Sequence, residues 1–200
     1  EYKYAQNMLF PRMYSENHTK QYENWMDIKG TQVPYNQCGE MIMVKIPTQW
    51  ENIKFFFSYQ LNFMYRRYFM WNFVGRQNDI QGSGEMEHGN WITGVKFIDN
   101  ALVGNQQFLP SDLANNKGRN VFFALPLLLG LIGLFWQVYR GRKGVQDFWV
   151  VFFLFFMTGI AIVIYLNQTP SQPRARGYAF AGSFFAFALW VDMGVAGPVH

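Results

Sequence analysis

Two long runs without a charged side chain constrain this sequence more than any other feature: Val121 to Val138 (VFFALPLLLGLIGLFWQV) and Phe148 to Leu166 (FWVVFFLFFMTGIAIVIYL). Each approaches the roughly 20 apolar residues that cross a hydrocarbon core of about 30 Å. A helix of that length in a water-soluble domain keeps a polar face, and neither run has one. Pro126, Gly130 and Gly133 weaken a helix in water but are tolerated in lipid, where neighbouring groups re-satisfy the freed backbone. Only nine residues separate the runs, so a hairpin of two membrane spans is the economical arrangement. A third run, Ala179 to Val199, is apolar apart from Asp192, and its small residues Ala179, Ala181, Gly182 and Ser183 suit close helix packing. The expected fold is mainly α: a polytopic membrane protein with two to three transmembrane helices (about 121–138, 148–166 and 179–199) plus an outer-face region of loops and an interfacial helix.

Charge agrees with that division. Residues 1–120 carry 12 basic and 11 acidic side chains, while residues 121–200 carry five basic and two acidic ones, with all five basic residues between the runs. No basic stripe gathers on one expected face, which excludes nucleic acid as a partner. The 21 Phe, 11 Tyr and 7 Trp suit a protein with much lipid-facing and interfacial surface. The single Cys38 excludes an internal disulfide and a cysteine-based zinc site. Glu1 is not an initiator methionine, and the chain reads as a piece of a larger multi-pass protein. Arg140, Arg142 and Lys143 in the turn between the first two runs place that turn in the cytoplasm by the positive-inside rule. Residues 1–120 and the loop 167–177 then share the outer face, against the weaker pull of Lys117, Arg119, Arg174 and Arg176.

Within the outer region the sequence divides at 48, 74 and 120. In residues 1–48, Ser15 is placed to cap a short helix from Glu16, with Tyr22, Trp25 and Met26 on its apolar side. Met41 to Ile46 is a short β-forming run bounded by Gly39 and Pro47, hence a strand. Thr48 and Glu51 have the spacing of a capping box. The helix they open should run from Gln49 to Val74, with Phe57, Leu61, Met64, Tyr68 and Trp71 on one face and Lys54, Ser58, Asn62 and Asn72 on a polar strip. Arg66 and Arg67 in mid-helix would each cost a spanning segment roughly 2.5–3.5 kcal/mol. The helix is therefore expected at the interface, its arginines reaching headgroups or a carboxylate, with a spanning helix that buries functional arginines as the alternative.

Residues 75–120 read as polar loops, with Ser111 or Asp112 capping one helical turn. The glycine-rich segment 75–94, which includes the Arg76 to Gln81 stretch with Asn78 and Asp79, is of the kind that either turns tightly or lets backbone approach a ligand. Asp79, Glu85, Glu87 and His88 could crowd around a divalent cation or form a solvated polar loop. A better placed cluster is Asn167, Gln168, Gln172, Arg174, Arg176 and Tyr178, between two spans, where arginines can grip a phosphate bidentately or only contact lipid headgroups.

The segments NMLFPRMYS, FFFSYQLNFMYRRYFMWNFVGRQNDIQGSGE, GNWITGVKFIDN, LPLLLGLIGLFWQ and YLNQTPSQPRARGYAFAGSFFAFALW together resemble a family of large bacterial multi-pass membrane proteins, long labelled a domain of unknown function. That family is related to protein O-mannosyltransferase-like enzymes of the GT-C glycosyltransferase superfamily. The resemblance covers nearly the whole chain and places it in the middle of a longer member. It implies an enzyme of the bacterial inner membrane that moves a sugar from a lipid-phosphate-linked donor to Ser or Thr of an acceptor protein on the outer face. The carboxylate that serves as base lies in the family's first outer loop, expected upstream of Glu1. The family's later outer loop reads Pro-Arg-Glu-Arg-Asp-Tyr. Here Pro173, Arg174, Arg176 and Tyr178 match, whereas Ala175 and Gly177 replace the two acids. If those acids position an acceptor or a metal, this copy is impaired; if they only fix the arginines, binding weakens.

Under this reading Arg174 and Arg176 hold the donor phosphate, Asn167 and Gln168 hydrogen-bond donor or acceptor, and the Arg76 loop shapes the outer-face site. A transporter or channel subunit with Arg66, Arg67 and Asp192 along a polar path is the second expectation. A membrane-anchored scaffold is the third.

Overall fold

The structure, a computed structural model, describes residues 8–37, 39–105, 107–170 and 177–197. It is mainly helical and divides into two compact units, Glu1–Asn62 with Asn167–Pro173, and Phe63–Leu166 with Arg174–His200.

In the first unit a 3₁₀ turn, Glu16–His18, leads into helix α1, Thr19–Trp25. Ser15 occupies the cap position, but its hydroxyl contacts the His18 ring at 2.8 Å and not a backbone N–H, so the expected cap is replaced by a side-chain pair. Strand β1, Thr31–Gln37, pairs antiparallel with β2, Glu40–Ile46, in a register that sets Thr31 opposite Ile46 and Gln37 opposite Glu40. Only β2 is legible in the sequence. Pro34 interrupts β1, and a two-stranded hairpin accommodates it because each strand is an edge.

Helix α2, Gln49–Phe55, opens on the expected capping box: Thr48 Oγ1 accepts from Glu51 N, and Glu51 Oε2 accepts from Thr48 N at 2.7 Å. The same carboxylate reaches further, accepting from Lys29 N at 2.7 Å and Gly30 N at 3.1 Å. Burial pushes the Glu51 carboxyl up, but these donors outweigh it and hold the group below the usual carboxylate range. Next to it, buried Asn52 accepts from Arg12 N at 2.7 Å and Met13 N at 2.9 Å and donates to Thr48 O. One helical turn thus ties down both preceding chain segments. The apolar core of this unit is aromatic, with Tyr22 edge-on to Phe55 at 5.3 Å and Phe55 stacked on Tyr59 at 5.1 Å.

The helix continues as an 11-residue π segment, Phe56–Arg66. The i→i+5 bonding of a π-helix lengthens each turn, so an α-periodic face does not hold its direction. Phe57, expected on the buried face, is exposed, and the buried side chains are Phe55, Phe56, Tyr59, Gln60, Met64, Tyr65 and Phe69.

The second unit includes helix α3, Arg67–Phe73, and strand β3, Gly75–Arg76, which pairs antiparallel with β4, Asn120–Val121. Between them lie α4, Lys96–Val103, and α5, Ser111–Ala114. The sequence reading missed α4, and the cap of α5 is Pro110, not Ser111 or Asp112. Helix α6, Leu125–Tyr139, begins four residues inside the first apolar run because Val121 belongs to β4 and Phe123 and Ala124 adopt left-handed backbone at φ 52° and 55°. At 15 residues α6 is about 22 Å long, short of a full crossing and shorter than the 121–138 helix expected.

The other two runs give longer helices. Helix α7, Arg142–Thr158, and α8, Ile160–Leu166, form a 25-residue helix interrupted at Gly159. There Thr158 Oγ1 donates to Leu154 O at 2.6 Å, a back-bond that bends helices. A 3₁₀ turn, Gly177–Phe180, leads into α9, Ala181–Ala196, and Tyr178–Ala196 makes a 19-residue helix. By length and composition these two are able to cross a membrane. Phe69, Val151, Ala186, Phe187 and Trp190 form the centre of the bundle, ringed by Phe73, Phe148, Phe155 and Phe184. Helices α6 and α9 meet at glycines: a Cβ on Gly133 would collide with the Trp190 carbonyl, and one on Gly194 with the Leu129 carbonyl. Gln137, buried at that seam, accepts from Trp190 Nε1 at 2.8 Å.

Candidate functional site

Helix α8 ends at Leu166, and Asn167 follows in left-handed backbone at φ 43°, a conformation that asparagine tolerates better than most residues. That turn brings Asn167, Gln168 and Thr169 onto the π segment of the first unit. Gln60 Nε2 donates to Asn167 Oδ1 at 2.9 Å and to Gln168 O at 3.0 Å, which fixes the orientation of its carboxamide. Tyr59 Oη donates to Thr169 O at 3.4 Å, and Asn167 Nδ2 donates to Pro11 O at 3.2 Å. Gln60 is 1% exposed and Gln168 6%. Gln60 Oε1 and Gln168 Nε2 have no hydrogen-bond partner among the described residues. Buried polar atoms are normally paired, and these two are the exceptions of this segment among the described residues.

Arg12 follows Pro11 and is itself buried, with its guanidinium over the Phe10 ring at 3.8 Å and the Phe56 ring at 5.3 Å. Burial pushes its pKa down from the ordinary arginine value. The first unit therefore buries an arginine and two carboxamide side chains, Gln60 and Gln168. Sequence reasoning found Asn167 and Gln168 but missed Gln60 and Arg12. The available signal was a glutamine in the middle of the aromatic run FFFSYQLNF, where a polar group becomes either solvated or functional.

Of the other expected residues, Arg174 and Arg176, with Gln172 and Ala175, lie outside the described residues. Tyr178 is exposed in the 3₁₀ turn of the second unit. The Arg76 loop belongs to the second unit as well, and the structure employs Asn78 as its internal brace. Asn78 Oδ1 accepts from Gly89 N at 2.7 Å and Ile80 N at 3.3 Å, while Nδ2 donates to Glu87 O at 2.7 Å. Gln77 repeats the pattern by donating to Met86 O at 2.8 Å. These carboxamides hold the loop, and their hydrogen-bonding capacity is used. Arg76 stacks on Trp71 at 4.1 Å, and Asp79 is exposed beside Gly118. Arg67, expected to reach a headgroup or a carboxylate, donates to Gly89 O at 2.6 Å and Phe63 O at 3.1 Å, which fastens the loop to α3.

The acids considered for a divalent cation are dispersed. Glu85 pairs with His88 at 3.0 Å. Its own main-chain N–H, then His88 and Ser83 N, hold the Glu85 carboxyl low against a smaller effect of burial. Among the described residues no three of His, Cys, Asp and Glu gather as a metal site. An open cavity of about 480 Å³ lies at the opposite ends of α6, α7 and α9 from Leu125, lined by Trp136, Arg140, Asp147, Asp192 and neighbouring residues. Asp192 is exposed there, and neither Arg66 nor Arg67 lines that cavity.

Residues 1–57 match a family of unknown function, DUF8416. That match contains the capping box, Asn52 and Arg12. No curated protein and no solved structure matches the chain.

Proposed function

We propose that this chain is part of a membrane glycosyltransferase that takes a sugar from a lipid-phosphate-linked donor and transfers it to protein hydroxyl groups. Its place is the bacterial inner membrane, with the Arg140–Lys143 turn inside and residues 1–120 outside. The membrane half of this reading is supported by the long apolar helices: only 11% of the apolar stretch of Arg142–Leu166 is buried, and 33% of that of Tyr178–Ala196. The core helix of a soluble protein would be mostly buried. Leu131, Phe135, Val150, Phe153 and Met157 on these helices are large apolar side chains left exposed, as lipid-facing positions would be.

The observation that carries the sugar half is a pair of buried atoms without a partner among the described residues, Gln60 Oε1 and Gln168 Nε2. A hydroxyl both donates and accepts, so sugar hydroxyls match the chemistry of an acceptor and a donor of this kind. Arg174 and Arg176 supply the phosphate grip that the resemblance implies.

The experiment is binding of a polyprenyl-phosphate-linked sugar to the chain in nanodiscs, followed by calorimetry. Arg174→Ala is expected to weaken binding by about 1.5–3 kcal/mol, the range for hydrogen bonds to a charged group. Gln60→Leu is expected to weaken binding of the sugar-bearing lipid but not of the polyprenyl phosphate alone. Wild-type affinity in both variants would overturn the assignment.

A further inference from the structure

Helix α4 is built inside out. Its eight residues bury an acid, Asp99, together with Val103, while Phe97, Ile98 and Leu102 point outward, and Phe97 is 86% exposed. The buried carboxylate has a local task. Asp99 Oδ1 accepts from Thr93 N at 2.6 Å and Thr93 Oγ1 at 2.8 Å, and Oδ2 accepts from Gly94 N at 2.8 Å. Thr93 Oγ1 in turn accepts from Val95 N at 3.1 Å. This clamp fixes the face that α4 turns to the protein, so the apolar side cannot roll inward.

The clamp also fixes where that apolar side lies. Gly94, at φ +86°, sits against the Val121 and Phe123 side chains, so closely that a Cβ there would overlap both. Phe123 and Leu125, exposed themselves, lie near the start of the first apolar run, and Leu125 opens α6. Helix α4 thus starts two residues after the point where the chain packs on the segment that leads into α6.

We propose that α4 is an interfacial anchor whose Phe97, Ile98 and Leu102 insert into the headgroup and acyl boundary of the outer leaflet beside α6. This rests on the membrane reading above. A short amphipathic helix of this kind lies in the plane of the interface with its apolar face in the acyl boundary. Lys96, exposed at its first turn, is free to meet anionic headgroups.

The test places an NBD fluorophore on single cysteines in a Cys38→Ser background, in nanodiscs of phosphatidylcholine and phosphatidylglycerol that carry nitroxide lipids. Phe97→Cys and Leu102→Cys probe α4, Phe153→Cys probes α7, and Glu87→Cys probes the polar loop. The α4 labels are expected to be quenched, more by shallow than by deep nitroxides, at a depth of about 5–10 Å. The Phe153 label should be quenched by deep nitroxides and the Glu87 label by neither. Quenching at Phe153 with both α4 labels as unquenched as Glu87 would overturn the anchor while leaving the membrane reading intact. Loss of quenching at Phe153 as well would overturn both.

Discussion

Replacing Gly133 with leucine is expected to force α6 away from α9 and to cost about 3 kcal/mol or more, the upper end for overpacking a filled interior. The reason is the identity of the neighbours. At Gly133 the obstacle is the Trp190 carbonyl and the Gly194 amide, main-chain atoms that have no rotamer to move into. Gly130, by contrast, faces the Phe187 ring, which has some freedom. Parting the helices at Gly133 also breaks the Gln137–Trp190 hydrogen bond and leaves two polar atoms unpaired in apolar surroundings. The readout is thermal unfolding in detergent, followed by far-ultraviolet circular dichroism. Leu131→Ala, on the outward side of the same helix, should change stability by no more than about 0.5 kcal/mol. Equal melting of Gly133→Leu and the unaltered chain would show that the two helices do not meet as described.

Removing the Glu51 side chain should have a comparable effect in the first unit. Its carboxylate accepts from Lys29 N, Gly30 N, Thr48 N and Thr48 Oγ1, which joins the chain before β1 to the start of α2. Hydrogen bonds to a charged group contribute about 1.5–3 kcal/mol each, without strict additivity. Glu51→Ala is therefore expected to destabilise this region by roughly 3 kcal/mol or more, and Glu51→Gln by less. The pH dependence has a definite sign. The folded-state pKa is depressed, so the stabilisation is complete above the unfolded value near about 4.3 and disappears as pH falls through the folded value. Hydrogen exchange of the Lys29, Gly30 and Thr48 amides reports this locally. Protection should fall on acidification in the unaltered chain and lose that pH dependence in Glu51→Gln. Unchanged exchange in Glu51→Ala would remove the carboxylate from this role.

What the sequence disclosed, and what it concealed, follows from the range of the interactions involved. The Thr48–Glu51 box is a contact across three residues, and it formed as its spacing requires. The apolar runs from Phe148 and from Ala179 became long helices because composition alone determines that much. The start of α6 was misplaced because β4 is held by Gly75 and Arg76, far away in sequence. The face of the helix from Gln49 was misjudged because a π segment changes the period on which the judgement depended. Helix α4 was missed since its apolar residues point outward and its buried residue is an acid, which inverts the usual signal. In the candidate site, Asn167 and Gln168 were legible as polar residues after an apolar run. Gln60 was not, because its partners lie more than 100 residues away. Asn78 looked like a ligand residue from its glycine-rich surroundings, whereas its carboxamide is occupied in bracing them.

The account depends on lipid surrounding α7, α8 and α9. The most direct measurement is the behaviour of the expressed chain in alkaline carbonate and in detergent-free buffer. The account predicts that the chain stays in the membrane pellet through the carbonate wash and aggregates when detergent is removed. A chain released by carbonate that runs as a single monodisperse species in plain buffer would contradict it.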